Sequence, residues 1–378
     1  MRFRKIVLQN WKNFTRAEVE IPDRLFLVGP NASGKSNFLD AFRFLRDIAA
    51  PGGGFQPAVM QRGGISAIRC LAARRNPDVS VEVELSSNSD HWVYSITFGQ
   101  DNQRKPLLKR ELVIRNSEKL LERPNDEDRS DPARMTQTYL EQVNVNKAFR
   151  EIATFFESVR YLHLVPQLVR EPERSVRRAN DPFGGDFLER LATTPEKVRS
   201  ARLRRLRNAL KVAVPQLEEI ELVRDARGTP HLRGKYQHWR AQGAWQTEDQ
   251  FSDGTLRLIG LLWAITEANG PLLLEEPELS LHPEVVRVLP QLFARVVNRQ
   301  GRVQLFVSTH SDKMFDDEGI GLHEVLLLTP TPEGTQLSLA TSREEIKSLV
   351  DNGIPLAEIV TAKTRPEHVE QLPVCLDS

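Results

Sequence analysis

Cysteine is nearly missing: Cys70 and Cys375 are the only two in 378 residues, and they lie far apart in the chain. That excludes a disulfide framework and a cysteine-based zinc pattern, and it suits a reducing compartment. Net charge is almost missing too. With 52 Lys and Arg against 51 Asp and Glu the formal charge is +1, so any surface for nucleic acid has to be local. No apolar run approaches the ~18 residues that a membrane span requires. The opening MRFRKIVLQNW is too short and too polar in its apolar part to read as a signal peptide. No internal repeat and no long heptad stretch is evident. The expectation is a soluble, cytoplasmic protein with no membrane partner. Its length fits a large α/β domain with insertions, or two domains sharing one core.

What is present starts at Arg24. Leu25–Val28 is a short apolar run that reads as a buried strand. It is followed by Gly29-Pro30-Asn31-Ala32-Ser33-Gly34-Lys35-Ser36, the G-x-x-x-x-G-K-[ST] pattern of a phosphate-binding loop. Phe38, Ala41, Phe42, Leu45 and Ile48 then recur at helical spacing up to Pro51. The residue types carry the chemistry. Gly29 and Gly34 let backbone N–H groups curl toward phosphate oxygens, and the helix beginning near Lys35 adds the positive end of its dipole. Lys35 brings a mobile charge to the β- and γ-phosphates, and the Ser36 hydroxyl is suited to ligate Mg²⁺.

Around this loop the periodicity predicts strands at 3–9 and 17–21, a polar aromatic turn at Trp11–Phe14 and a mobile glycine-rich loop over 51–65. Alternation at Val79–Leu85 and Trp92–Phe98, with Leu112 and Ile114, predicts an antiparallel sheet with one wet face. Ser117–Met135 is polar enough to read as a disordered surface excursion, and 139–158 as helix. Tyr161–Val165 is a strand closed by Pro166. A helix opens at Thr194-Pro195-Glu196 and stops at Pro215. Its apolar face carries Leu203, Leu206 and Leu210, and its other face Arg199, Arg202, Arg204, Arg205, Arg207 and Lys211. Residues 217–223 and 231–238 form a hairpin. Leu272–Leu274, Val303–Val307 and Val325–Leu328 are strands of a parallel sheet, and a capping box at Ser342–Glu345 opens a final helix ending near Gly353.

Three more groups fit the loop. Glu275 and Glu276 close a buried strand, where one carboxylate can hold Mg²⁺ and the other can orient or deprotonate an attacking water. His310 ends the next strand and can hydrogen-bond a γ-phosphate or its water. Ser252-Asp253-Gly254 starts an apolar helix and forms an anion site of serine, glycine and helix N-terminus.

The order of these motifs, phosphate loop, Val165-Pro166-Gln167, Ser252-Asp253-Gly254, Glu275-Glu276 and His310, resembles the ABC-type ATPase head. The wording of Asn10–Phe14, Gly29–Asn31, Gly34–Asn37, Phe251–Arg257, Glu275–Glu278 and Leu281–Pro283 is similar to the RecF/OLD-like ATPases, relatives of SMC heads. The resemblance covers roughly 1–330 and is weakest over 100–250. It implies an α/β P-loop NTPase with a mixed sheet, an antiparallel N-terminal subdomain and a helical lid. Residues 1–168 and 251–363 would be the two halves of the core, 169–250 the lid and 364–378 a tail.

The family implies ATP and Mg²⁺. Gly29–Asn37 would form the nucleotide loop, with Asn13 and Phe14 approaching the nucleotide. Ser36 and Glu275 would take the metal, and Glu276, His310 and Lys35 would act in catalysis. Gln167 would be the Q-loop residue toward nucleotide and metal, with Gln61 as rival, and Leu279–Pro283 the D-loop. Ser252–Gly254 would face the nucleotide of a second protomer, so a homodimer sandwiching ATP is the minimum assembly. The implied work is nucleic-acid surveillance: antiphage defence with a separate effector, or RecF-like DNA repair, with DNA on the Arg199–Lys211 helix. Asp253 stands where transporter subunits have glycine, which argues against a transporter. OLD-type enzymes carry a Toprim nuclease domain after the ATPase core. Here 311–378 is at the bottom of the domain range of ~50–200 residues, and Asp316, Asp317, Glu318, Glu344, Glu345, Asp351, Glu358, Glu367, Glu370 and Asp377 form no convincing acidic site. A nuclease would therefore come from a partner chain.

Overall fold

A computed structural model describes residues 1–73, 77–87, 90–171, 181–239, 244–366 and 369–371. The chain opens with the hairpin of β1 (Arg2–Trp11) and β2 (Phe14–Glu20), then runs through β3 (Arg24–Val28) into α1 (Lys35–Ala49), α2 (Phe55–Met60) and α3 (Ile65–Ile68). Strands β4 (Val79–Ser87), β5 (Asp90–Gln100), β6 (Pro106–Arg115) and β7 (Glu118–Arg123) follow, then α4 (Asp126–Ser130), α5 (Arg150–Glu157), β8 (Arg160–Leu162) and α6 (Pro166–Arg170). The lid segment holds α7 (Phe187–Thr193), α8 (Glu196–Ala213), β9 (Leu217–Arg224), β10 (Pro230–Tyr236) and β11 (Ala244–Thr247). The last part is α9 (Asp253–Glu267), β12 (Pro271–Glu275), α10 (Pro283–Gln300), β13 (Gln304–Ser308), β14 (Val325–Thr331), β15 (Gly334–Leu339), α11 (Glu344–Asp351) and α12 (Leu356–Thr364).

Two sheets of six strands make the core. One is antiparallel, in the order β2-β1-β4-β5-β6-β7; the other is mixed, in the order β15-β14-β3-β13-β12-β8. In the second, β8, β12, β13, β3 and β14 are parallel and β15 is an antiparallel edge. Burial explains the pattern. Every second residue of β4 is buried, as one packed face requires, whereas β3 from Leu25 and all of β13 are buried on both faces. Phe3 of the first sheet, Phe42 of α1, Phe155 and Phe156 of α5 and Phe306 of the second sheet pack ring to ring with centroids 4.6–6.3 Å apart. Each such buried side chain contributes roughly 1.5–3 kcal/mol. Gln304 ties the layers together: its side chain accepts from Phe3 N and donates to Phe3 O and Pro22 O. The lid sheet is the separate three-stranded β11-β10-β9.

Several local expectations need correction. The 51–65 stretch contains the short helix α2 and the start of α3: Phe55, Ala58, Val59 and Ile65 are buried, and its positive-φ glycines (52, 54, 63 and 64) sit at helix ends and turns. Ser117–Met135 does run over the surface, as expected, but it is structured, with β7, α4 and a 3-10 turn, and it is anchored by a few buried residues. Arg123, Glu111 and Asp128 are fully buried and satisfy one another, and Arg123 also donates to Arg134 O and Gln137 O. Polar composition misleads here because a paired charge cluster can be interior. Helix within 139–158 is confined to a 3-10 turn from Asn146 and α5. The strand at Tyr161 ends at Leu162. Pro195 is the N-cap of α8 rather than its first residue. The lid hairpin has a third strand, β11. Ser342 lies in a 3-10 turn and Arg343 caps α11 without a side-chain bond, so the capping box is not formed. β15 and α12 have no counterpart in the sequence reading. Cys375, Glu367, Asp377 and most of the 364–378 tail lie outside the described residues.

Candidate nucleotide site

The parallel strands β3, β13, β12 and β8 lie side by side, so their C-terminal ends share one edge of the sheet. Register fixes what meets there: Leu27 pairs with Ser308, Ser308 with Glu275, and Leu274 with Leu162. The loop 29–34 leaves β3 at that edge. A Cβ on Gly29 would stand 2.6 Å from Ser33 Oγ and 2.7 Å from Leu328 O, and one on Gly34 (φ +100°) would stand 2.1 Å from Asn13 Nδ2. Both positions therefore require glycine. Ala32 also sits at φ +60°, a left-handed backbone rare outside glycine. Ser33 Oγ is buried and has no hydrogen-bond partner. An open cleft of about 850 Å³ lies beside the loop, lined by Lys12, Asn13, Ala32, Leu71 and Thr335 among others. A tight glycine cradle, an orphaned hydroxyl and a buried lysine fit an anionic ligand.

Lys35 is buried, and its Nζ donates to Gly29 O at 2.9 Å and Pro30 O at 3.1 Å. Burial pushes its ammonium down to about 8, against the pull of Glu276, Glu275 and Glu278. A phosphate beside it favours the charged form. Nucleotide affinity is therefore expected to be insensitive to this group below pH 8 and to fall by up to about tenfold per pH unit above it. ADP titrations at pH 7, 8 and 9 without divalent cations check this; Lys35→Ala should show no such break.

Glu275 receives both of its neighbours on separate oxygens. Ser36 Oγ donates to Oε1 and Tyr161 Oη to Oε2. The Arg43 guanidinium lies over the Tyr161 ring, 4.3 Å from its centroid. Burial, and then the Glu275 charge, raise the Tyr161 hydroxyl pKa far above its ordinary value, so it stays a donor. Ser36 and Glu275 are thus the pair that would hold Mg²⁺, which when bound would neutralise charge on the β- and γ-phosphates. His163, just past β8, places Nδ1 3.4 Å from Glu275 O.

Glu276 turns out of the strand with φ +45° and donates its N–H to Ser308 O. Its Oε1 lies 3.3 Å from His310 Nε2. That hydrogen bond lowers the carboxyl below the usual range against the effect of burial, with help from the charges of His310, His163 and Lys35. Glu276 is therefore ionised and able to accept a proton. Below it, Glu278 Oε1 accepts from Thr309 Oγ1 at 2.7 Å and His310 N at 3.0 Å, fixing the histidine backbone; burial pushes the Glu278 carboxyl up.

The structure sorts the sequence candidates. Lys35, Ser36, Glu275, Glu276 and His310 come together. Asn13 lines the cleft beside Ala32 and braces the loop: its Nδ2 donates to Ser33 O and Thr335 Oγ1, and its Oδ1 accepts from Asn37. Phe14 is fully buried against Phe38, so it does not reach a nucleotide. Gln167 is exposed on α6 and Gln61 at the end of α2; the side chains on Glu275 are Ser36 and Tyr161. Ser252 caps α9 by accepting from Thr255 N, Asp253 pairs with Arg170, and a Cβ on Gly254 would meet Ser280 O at 2.4 Å. The serine motif thus packs on α6 and on the loop after β12. The sequence reading missed Tyr161, His163 and Arg170. A signal existed for two of them: alternation puts Tyr161 and His163 on one face at the end of a strand.

A glycine loop on β3, paired carboxylates on β12, a histidine on β13 and a serine-capped helix in a lid-bearing half define an ABC-type P-loop ATPase head of the RecF and SMC kind. The chain belongs to the family described as "AAA domain, putative AbiEii toxin, Type IV TA system", whose model matches residues 25–316. The "P-loop containing region of AAA domain" matches residues 3–45. A 91-residue segment is 31% identical to the DNA replication and repair protein RecF of Clavibacter michiganensis subsp. michiganensis (strain NCPPB 382) and to that of Clavibacter sepedonicus. It covers 24% of this chain and 22% of each of those proteins, so the match spans about a fifth of their length. The fold is similar to an SMC head bound to the C-terminal winged-helix domain of ScpA, with TM-score 0.57, 13% identity and coverage of 89% of this chain and 97% of that one. It is also similar to an SMC head with an extended coiled coil bound to the C-terminal domain of ScpA from Pyrococcus furiosus, with TM-score 0.56, 12% identity and coverage of 93% and 99%. Among the described residues no helix is long and apolar enough to cross a membrane.

Proposed function

We propose that the chain is an ATP-hydrolysing switch that works as a dimer in nucleic-acid-linked work, most directly antiphage defence with a separate effector subunit, for which a Toprim nuclease is one candidate. The observation that carries the ATPase part is the pairing of Ser36 with Glu275 and of Glu276 with His310 at neighbouring strand ends. Lys35 and the loop N–H groups would hold the phosphates, Ser36 and Glu275 would hold the metal, which would supply positive charge there, Glu276 would take the proton of the attacking water, and His310 holds Glu276. The cleft beside Ala32 is large enough for a nucleoside. Ser252, an N-cap with its hydroxyl at a helix start, completes the site of a second protomer. The defence reading rests on the family's toxin–antitoxin description. The identity to RecF proteins favours a second reading, DNA repair without an effector.

DNA is the partner that both readings share. The basic helix supports it with one revision. Arg202 lies 5.4 Å from the Trp263 ring centroid on α9, and Arg199 donates to Ala192 O and Thr194 O, so these two half-buried arginines are engaged by the protein itself. Arg204, Arg205 and Lys211 are exposed, which leaves their charges available to phosphates. Arg204→Ala/Arg205→Ala/Lys211→Ala should weaken DNA binding alike on all duplex sequences. The slope of log affinity against log salt should flatten by roughly 0.9 for each phosphate that is no longer neutralised. Anisotropy titrations of wild type and triple variant at two salt concentrations decide it. Equal slopes and affinities would remove this surface, and DNA binding by neither protein would remove DNA as a direct ligand.

A further inference from the structure

The serine-capped end of α9 carries a contradiction. A helix N-terminus that is to receive a phosphate is best left uncharged, because its dipole and free N–H groups already favour the anion. Here the first helical residue is Asp253. Its carboxylate steadies its own helix but repels an arriving phosphate at the same place.

The structure resolves this with a residue from another element. Arg170, the last residue of α6, places Nη2 2.6 Å from Asp253 Oδ1 and donates from the same nitrogen to Phe251 O at 2.6 Å. Its guanidinium therefore bridges the residues on either side of Ser252. Asp253 and Arg170 are both partly exposed, at 41% and 23% of their side-chain surface, so the pair lies at the surface that Ser252 presents. Arg257, one turn further along α9, has a buried Nε with no hydrogen-bond partner and lies in the field of Asp253, Glu276 and Glu278.

We propose that Arg170 is a positioning residue whose charge cancels that of Asp253, so that the Ser252 end of α9 can accept the γ-phosphate bound by the partner protomer. The proposal rests on the dimeric sandwich reading. It also makes the compensation conditional. Arg170 reaches Asp253 only while α6 is docked on α9, and α6 also carries Gln167.

The test is ATP-dependent association in the Glu276→Gln background, measured by analytical ultracentrifugation with Mg²⁺·ATP. Arg170→Ala should weaken association at least tenfold. Asp253→Asn, which leaves the arginine charge unopposed, should tighten it. The double variant Arg170→Ala/Asp253→Asn should return to within about threefold of the parent, because both the repulsion and its remedy are gone. Arg170→Lys keeps the charge without the fork and should stay near the parent, which covers the case in which the alanine variant fails to fold. A double variant as weak as Arg170→Ala would show that the arginine merely holds the loop through Phe251 O, and would overturn the proposal. So would an Arg170→Ala protein that associates like the parent. A parent that does not associate with ATP at all would instead overturn the sandwich reading itself.

Discussion

Replacing Glu276 with Gln is expected to lower ATP hydrolysis by ~10²-fold or more while leaving ATP bound. The amide keeps the size of the carboxylate and can still meet His310, but it cannot take a proton from water. The geometry favours Glu276 over Glu275 for this proposed role. Its backbone is in the left-handed region at φ +45°, and the side chain meets His310 Nε2 at 3.3 Å. Glu275 is instead occupied on both oxygens by Ser36 and Tyr161. Glu275→Gln should therefore raise the Mg²⁺ concentration needed for turnover, a different signature. Phosphate release assays across a Mg²⁺ series separate the two variants. Wild-type turnover in Glu276→Gln would move the proton-accepting role elsewhere, to Glu275 first.

The second large effect concerns shared sites. Ser252→Arg puts bulk and charge where the partner's γ-phosphate would dock, and Lys35→Ala removes the loop cation. Each variant alone should lose nearly all hydrolysis, yet Ser252→Arg should still bind nucleotide because the loop 29–36 is intact. Mixed in equal amounts, the two should recover about a quarter of wild-type activity. Half of the dimers are then mixed, and each mixed dimer has one site with both Lys35 and the opposing Ser252. No recovery on mixing would place both residues in the same protomer's site, or in no common site. Substantial activity in either variant alone would end the shared-site account.

The phosphate loop was legible because its chemistry is contiguous: strand, glycines, lysine, serine and helix follow each other without a gap, so local pattern suffices. Glu275, Glu276 and His310 were legible because each ends an apolar strand, and parallel sheets collect such ends on one edge. Tyr161, His163 and Arg170 were not singled out because their partners depend on strand order. β8 lies beside β12 although more than a hundred residues separate them, and α6 reaches α9 only through the lid's return. The basic helix shows a second limit. Six cations in one segment looked like one face, but the rotation of α8 about its apolar stripe turned Arg202 onto Trp263 and left Arg204, Arg205 and Lys211 outside. The stretch 117–135 shows a third. Composition measures how polar a segment is, whereas Arg123, Glu111 and Asp128 are interior because each supplies what the others need.

Sedimentation of the Glu276→Gln protein with and without Mg²⁺·ATP tests the central claim most directly. Slowed hydrolysis should hold the sandwich closed, so the mass should double on adding ATP and return when ADP replaces it. The same mass at saturating ATP as without nucleotide, in protein shown to bind ATP, would contradict the account of a dimeric ATP switch.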